Sequence, residues 1–488
     1  MSGSLTKKLG KLQKRLGGND IQLYVFAAFM TIVFFTGGSS RDDVQSLVFL
    51  RPLAVLFGAY ALTRMDREAW KGRTFPLIIA LSLAGLMVLQ LIPLPPAIWT
   101  ALPGREIFAD IADLAGMTQP WRPLTLSPSR TLNSLFSLAI PITAMMLYLN
   151  LDGPRRKQAV AVIILLTCVS ALWAASQLTG SARGPLYIYN ITNNGSAVGL
   201  FANRNHQAVL LAAAIVMLGW YAASHAVTAR LASLKFYAGI SAIFVLVPLV
   251  FVTGSRSGLL LMAPALVAAI ILVYFGRYTV ESQPAAKSQS SSKRHRGKKQ
   301  FNSRQIILYS SIALVVILAG LSVYLSRSLA FDRLFGRAEV EELRSQLVPI
   351  LTKMISDYFP WGSGFGSFEH VYRIYEPQEF LSPNYLNQAH NDWLQFPIEG
   401  GLPAILIAAA AIIWGSKQIF VLAQNWKHSH YTKYAAVMAA MVMLLFLAGS
   451  IVDYPLRVPS LIALFAVMAC ILNDNMKAVQ RNAIKAQS

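Results

Sequence analysis

The sequence predicts an all-α protein, a polytopic transmembrane helix bundle of about 12 spans. Three observations predict it. Hydrophobic residues make up 55% of the 488 and charged residues only 13%, about half the ~25% of a soluble protein. Apolar runs recur along the chain at the length, roughly 20 residues, that crosses a bilayer as a helix. No ten-residue alternation of the membrane β-barrel kind is present. Lipid offers no hydrogen-bond partners, so each run must satisfy its own backbone as a helix.

The runs fall in order near 21–38, 46–63, 75–92, 131–150, 159–178, 205–223, 237–253, 257–275, 306–326, 401–424, 433–452 and 458–473. The first follows a basic segment and has a signal-peptide look. No A-x-A-like site closes it and further spans follow, so it is read as a retained helix. The second carries Arg51, and the tenth carries Lys417 towards one end. The other spans are almost free of charge, which argues against a polar path or ion relay through the bundle. Cys168 and Cys470 sit inside apolar runs without CxxC spacing, so neither a zinc site nor a disulfide framework is expected.

A formal charge of +21 would suggest nucleic acid in a soluble chain. Here it sorts by loop. With the N-terminus in the cytoplasm, alternate loops and both tails hold 27 of the 43 Lys and Arg, as the positive-inside rule requires. The long loop 327–400, on the other side, has 10 acidic against 6 basic residues. The expected organisation is a bundle of eight spans over 1–275, a basic, disordered cytoplasmic loop over 276–305 and a ninth span over 306–326. A periplasmic loop over 327–400, three spans over 401–474 and a cytoplasmic tail over 475–488 complete it. The loop 327–400 is rich in aromatic and glycine residues and opens with an amphipathic helical pattern, so it is read as structured and functional. The Pro-rich outer segment 93–130, with Trp99 and Trp121, suits the membrane interface.

Three polar constellations lie on the same outer side. The first is GLFANRNHQ, with Asn203, Arg204, Asn205 and His206 where a loop enters the sixth span. The second is TGSRSG, with Arg256. The third is WGSGFGSFEHVYRIYEP followed by NQAHNDWLQFPIEGGLP, with His370, Arg373, His390, Asn391, Asp392 and Glu399. Arg204 alone is compatible with a headgroup anchor, and Arg256 alone with a helix cap or an ion pair. Together they suggest anion binding, because a guanidinium fork matches phosphate geometry. His390 has the densest polar setting of the seven histidines. An imidazole titrating near ~6.5 can take a proton at neutral pH, so His390 is the candidate general base. Asp453 and Arg457, between the last two spans, read as a structural ion pair, with extension of the anionic site by Arg457 as the alternative. GSGFGSF follows no strand and reads as a tight turn rather than a nucleotide loop, and HExxH, GxxxxGK[ST] and GxSxG are absent.

GLFANRN, TGSRSG, GSGFGSF and above all HNDWLQFPIEGGLP resemble the O-antigen ligase and O-antigen polymerase superfamily of bacterial membrane glycosyltransferases. The resemblance implies a multi-pass inner-membrane enzyme that moves a glycan from undecaprenyl diphosphate to an acceptor sugar hydroxyl on the periplasmic side. The acceptor is lipid A-core for a ligase and another lipid-linked repeat for a polymerase of O-antigen or exopolysaccharide. It further implies no cofactor, metal or nucleotide sugar, an inverting displacement, membrane lipid and other polysaccharide-assembly proteins as partners, and no nucleic acid. By motif, Arg204 and Arg256 correspond to the diphosphate binders and His390 to the acceptor-activating residue. Asn203, Asn205, Asn391, Asp392, Glu399 and Arg457 are supporting candidates. A transporter or flippase for lipid-linked glycan and a non-catalytic assembly scaffold are the competing readings. The clustering of polar residues at one face favours the transferase.

Overall fold

A computed structural model describes residues 18–66, 73–226, 228–281, 338–381, 386–426 and 432–487. They are nearly all helical. The chain opens with three apolar helices, α1 (Gly18–Thr36), α2 (Ser46–Arg64) and α3 (Phe75–Leu91). A small insertion follows, with β1 (Pro93–Leu94), α4 (Pro96–Trp99), α5 (Glu106–Leu114) and β2 (Arg122–Pro123). The two strands pair antiparallel, Pro93 opposite Pro123. Next come α6 (Pro128–Ser137), α7 (Ala139–Leu149), α8 (Gly153–Gln177), α9 (Arg204–Ala223), α10 (Ala229–Val252) and α11 (Arg256–Glu281). After the gap lie α12 (Ala338–Tyr358), α13 (Phe368–Tyr375), α14 (Asp392–Gln424), α15 (Thr432–Gly449) and α16 (Pro459–Gln487).

Among the described residues, nine stretches are long and apolar enough to cross a membrane: α2, α6 with α7, α8 to α11, and α14 to α16. The expected count of 12 is therefore not reached by these alone. α1 and α3, at the first and third expected spans, are shorter apolar helices. The expected span 306–326 and all but the first residues of 276–305 lie outside the described residues.

α9 is the hub. From His206 to Gly219 all its residues are buried, and it packs against α8, α10, α11 and α15. Small residues set how closely it meets α11. A Cβ on Gly219 would lie 2.6 Å from Cα of Ala269, and one on Gly258 would overlap Ala208. Residues 208 and 219 thus face 258 and 269, so the two helices run parallel and begin at the same end of the bundle. Close approach through small side chains is how helices gain packing energy where lipid is as apolar as the helix.

The same end carries the short-helix insertions. α14 begins at Asp392, ahead of the expected 401, but its regular geometry breaks at Gly401 (φ 58°, ψ −154°). Into that break fits the glycine-rich loop. Leu402 N–H bonds Pro360 O at 2.7 Å, Ser363 N–H bonds Ile398 O at 2.8 Å and Gly364 N–H bonds Glu399 O at 2.9 Å. Gly362, Gly364 and Gly366 have φ of 77°, 103° and 81°, values open to glycine and costly to other residues. A Cβ on Gly401 would overlap the Pro360 carbonyl. The 93–130 segment closes the other side: Leu126 N–H bonds Ser363 O at 2.8 Å. Arg105, 2% exposed, donates to Leu124 O and Gly362 O, each at 2.7 Å. Burial pushes its pKa down to about 10. The segment therefore packs on the glycine loop, while Trp121 stays exposed and Trp99 is buried.

Candidate functional site

The loop before α9 is shaped by side chains from the bundle. Gln177 Oε1 accepts from Val198 N–H at 2.9 Å and Gly199 N–H at 2.8 Å. Ser170 donates to Gln207 Oε1 at 2.7 Å. Gly199 (φ 60°) lies so close that a Cβ would stand 2.5 Å from Gln207 Oε1. Asn203 then caps α9 by accepting from Asn205 N–H at 2.9 Å. Its role is to start the helix.

Arg204 is the first residue of α9 and Arg256 the first of α11. The Arg204 guanidinium lies along the TGSRSG turn, 3.7 Å from where a Cβ on Gly254 (φ 64°) would stand. Ser255 closes that turn by accepting from Gly258 N–H at 3.0 Å. Both arginines are half-buried. Each stands at the N-terminus of one of two parallel helices, where the helix dipole favours an anion, although side chains already take the Arg204, Asn205 and Gly258 N–H groups.

His390 reaches the same region from α14. It is the one non-glycine residue with positive φ, 52°, among those described, a conformation costing roughly 1–2 kcal/mol. The turn it makes lets Asn391 cap α14, accepting from Leu394 N–H at 3.1 Å. Asp392 N–H bonds Ser450 O at 2.9 Å, and Trp393 Nε1 donates to Leu447 O at 3.0 Å. These bonds dock the start of α14 on the end of α15. Asp453 follows directly.

Asp453 is 1% exposed and meets two imidazoles. Its Oδ1 lies 3.5 Å from His390 Nδ1 and 3.8 Å from His206 Nε2. The Tyr454 ring meets both edge-on, at 4.8 Å from His390 and 5.2 Å from His206. Burial works against the charge of Asp453. The neighbouring His390 and His206, helped by Asn205, outweigh it and hold its pKa well below the usual carboxylate range. With Nδ1 of His390 turned to Asp453, Nε2 is the nitrogen left for an incoming hydroxyl.

Arg457 does not pair with Asp453, as the sequence suggested. Its Nε donates to Asp392 at 2.9 Å and its Nη1 to Glu399 at 3.0 Å. Burial disfavours its charge, but Glu399 and Asp392 outweigh this and hold its pKa above the ordinary value. Glu399 is fully buried and also accepts from Gln395 at 3.0 Å. Gln395 in turn accepts from Ala389 N–H at 2.8 Å. The fork of Arg457 is thus filled by two carboxylates, which locks the His390 segment to the turn before α16. α16 starts just beyond that turn, where Ser460 N–H bonds Gly37 O at 2.9 Å.

The structure therefore gathers Arg204, Asn205, Arg256 and His390 at one end of the bundle. Asn203, Asn391, Asp392, Glu399 and Arg457 shape and brace that end. His370 belongs to a different group. It accepts from Arg130 at 3.3 Å, and Arg130 also meets Asp42 and Glu369. Sequence reasoning misses two partnerships. His206, whose polar setting in the sequence is less dense than that of His390, is buried against Asp453. Asp453 and Arg457, expected to pair with each other, have different partners. The available signal was a buried-side histidine two residues past Arg204, opposite an aspartate in a short turn. Among the described residues, no three His, Cys, Asp or Glu side chains gather as a metal-ligand set.

Residues 241–409 match the O-antigen ligase family, which bears out the resemblance drawn from the motifs. Among curated proteins none matches the chain. The matched region takes in Arg256, the glycine loop, His390 and Glu399, and ends just past the break at Gly401.

Proposed function

We propose, on the premise of that O-antigen ligase match, that the chain transfers a glycan from undecaprenyl diphosphate to a sugar hydroxyl, with His390 as general base. The match supports a membrane glycosyltransferase of the ligase or polymerase type. The observation that carries the mechanism is the convergence of His390 and the Arg204 turn on one buried carboxylate, Asp453.

In this reading the polyprenyl tail lies in lipid, and the diphosphate rests at the N-termini of α9 and α11 beside Arg204 and Arg256. The acceptor hydroxyl approaches Nε2 of His390 beneath the 338–381 insertion, on the periplasmic side. His390 takes the hydroxyl proton as the oxygen bonds to the anomeric carbon. The bond from that carbon to the phosphate oxygen breaks, and its electron pair leaves on the diphosphate. Asp453 stabilises the imidazolium that forms, as a buried carboxylate does for a catalytic histidine. The helix N-termini and the two arginines stabilise charge growing on the leaving group. One displacement inverts the anomeric centre, and an activated diphosphate leaving group makes a nucleotide sugar unnecessary.

The test is transfer by purified protein in lipid. A diphosphate-linked glycan on polyprenol should serve as donor, while a nucleotide sugar should not. Absence of transfer to either lipid A-core or a second lipid-linked repeat would contradict the reading. The acceptor that is used separates ligase from polymerase.

A further inference from the structure

His206 is not needed by the mechanism above, yet it is among the most completely buried polar groups of the protein. It is 1% exposed, in the first turn of α9. Neither of its ring nitrogens has a hydrogen-bond partner. Its Nε2 stands 3.8 Å from the same Asp453 oxygen that faces His390. That oxygen also accepts from Tyr454 N–H at 2.9 Å, while Oδ2 of Asp453 is buried and unpartnered. An unmade hydrogen bond in the interior leaves a buried polar group without compensation for its lost hydration. A small closure of the Asp453 side chain would satisfy donor and acceptor together. Catalytic hydrogen bonds often tighten in this way only when substrate arrives.

The titratable groups around this imidazole come from three elements. Asp453 and Tyr454 belong to the turn between α15 and α16 and His390 to the segment before α14, while Asp392, held by Arg457, reaches the group through Asp453 from the start of α14. Among the described residues, Asp453 is the carboxylate that meets both imidazoles. A proton on His206 would set a second positive charge beside His390 with only Asp453 between them. The arrangement that fits is a neutral His206 donating Nε2–H to Asp453.

We propose that His206 is a positioning residue that holds Asp453 and shares its charge, and so sets how readily His390 takes up a proton. This rests on the reading of His390 as the base. While His206 donates to Asp453, less of the carboxylate's charge is available to an imidazolium at His390. The base then stays unprotonated to lower pH. His206 also lies two residues from Arg204 on one helical turn, so the group that meets the donor's diphosphate and the group that holds Asp453 move together.

The experiment is the pH profile of kcat/KM for full-length protein in lipid nanodiscs, comparing wild type, His206→Gln, His206→Asn and His390→Ala. Glutamine places an N–H donor where Nε2 was, whereas asparagine is too short to reach Asp453. His206→Asn should move the acid limb to higher pH by about half a unit or more. It should also lower kcat about tenfold, leaving the donor KM within about twofold. His206→Gln should return the limb to its wild-type position. An acid limb that is the same in wild type, Asn and Gln forms overturns the inference, whatever happens to turnover. So does an equal shift in both variants. Where His206→Asn yields no folded protein, His206→Leu replaces it with the same expected shift. If His390→Ala is inactive while the His206 variants keep the wild-type limb, only this inference fails. If His390→Ala is active, the base reading fails first.

Discussion

Oδ1 of Asp453 stands 3.5 Å from Nδ1 of His390, and the two come from turns 63 positions apart in the chain. The contact exists because the start of α14 is tied to the end of α15 through Ser450 and Leu447. It orients the imidazole with Nε2 free. In the proposed mechanism it also gives the imidazolium a fixed partner, the buried carboxylate of Asp453.

Replacing Asp453 by asparagine should therefore hurt turnover far more than donor binding. Removing the carboxylate behind a catalytic histidine is expected to cost about 10²-fold or more in kcat. The donor Kd should change little. A Kd that rises as much as kcat falls would place Asp453 in diphosphate binding instead.

The same carboxylate gives a stability prediction with a defined sign. Its pKa is depressed in the folded state. Its contribution is then fully present above the unfolded value, near ~3.9, and is lost as pH falls towards the folded value. Wild-type protein should lose thermal stability below about pH 4. Asp453→Asn should lose less over that window. Melting curves of both proteins in detergent from neutral to acid pH measure the difference.

Arg457 holds two carboxylates, and one of them, Glu399, is fully buried. Arg457→Ala leaves both unpaired. Breaking a buried pair from one side costs about 3–5 kcal/mol. The variant should show a large fall in Tm or fail to accumulate. Arg457→Lys should be intermediate, since one ammonium cannot reproduce two directed bonds. Wild-type stability of Arg457→Ala would contradict the bracing role.

Arg256→Lys tests the anion site. A lysine keeps the charge and loses the fork, so the donor KM should rise about tenfold. An unchanged KM would argue against bidentate phosphate binding at that helix start.

Gly401 is a purely steric prediction. Its φ of 58° and the Pro360 carbonyl over its Cα leave no room for a methyl group. Gly401→Ala should destabilise by about 2 kcal/mol or more. It should also displace Glu399, and with it the His390 segment, so activity should fall along with the Tm.

The helices were legible because lipid leaves the backbone no alternative, and runs such as 159–178 or 205–223 carry that constraint openly. Part of the candidate site was legible too, since Arg256 and His390 sit in compact local motifs. The partners were not. Asp453 and Arg457 are four residues apart with opposite charge, which locally suggests a pair. The packing of α14 against α15 and α16 instead sends Arg457 to Asp392 and Glu399, and Asp453 to the histidines. Arg105 was missed for a similar reason: its acceptors are backbone carbonyls, one of them Gly362, far along the chain. The GSGFGSF glycines were legible as a turn. That they fit into the break at Gly401 depended on a φ/ψ pair that no sequence pattern displays.

The central claim is that His390 removes the acceptor proton while taking no part in holding the donor. Single-turnover transfer by His390→Ala, with donor binding measured on the same preparation, tests it most directly. Wild-type donor affinity and a transfer rate lower by about 10²–10⁴-fold are expected. Transfer at the wild-type rate by a correctly folded His390→Ala protein would contradict it.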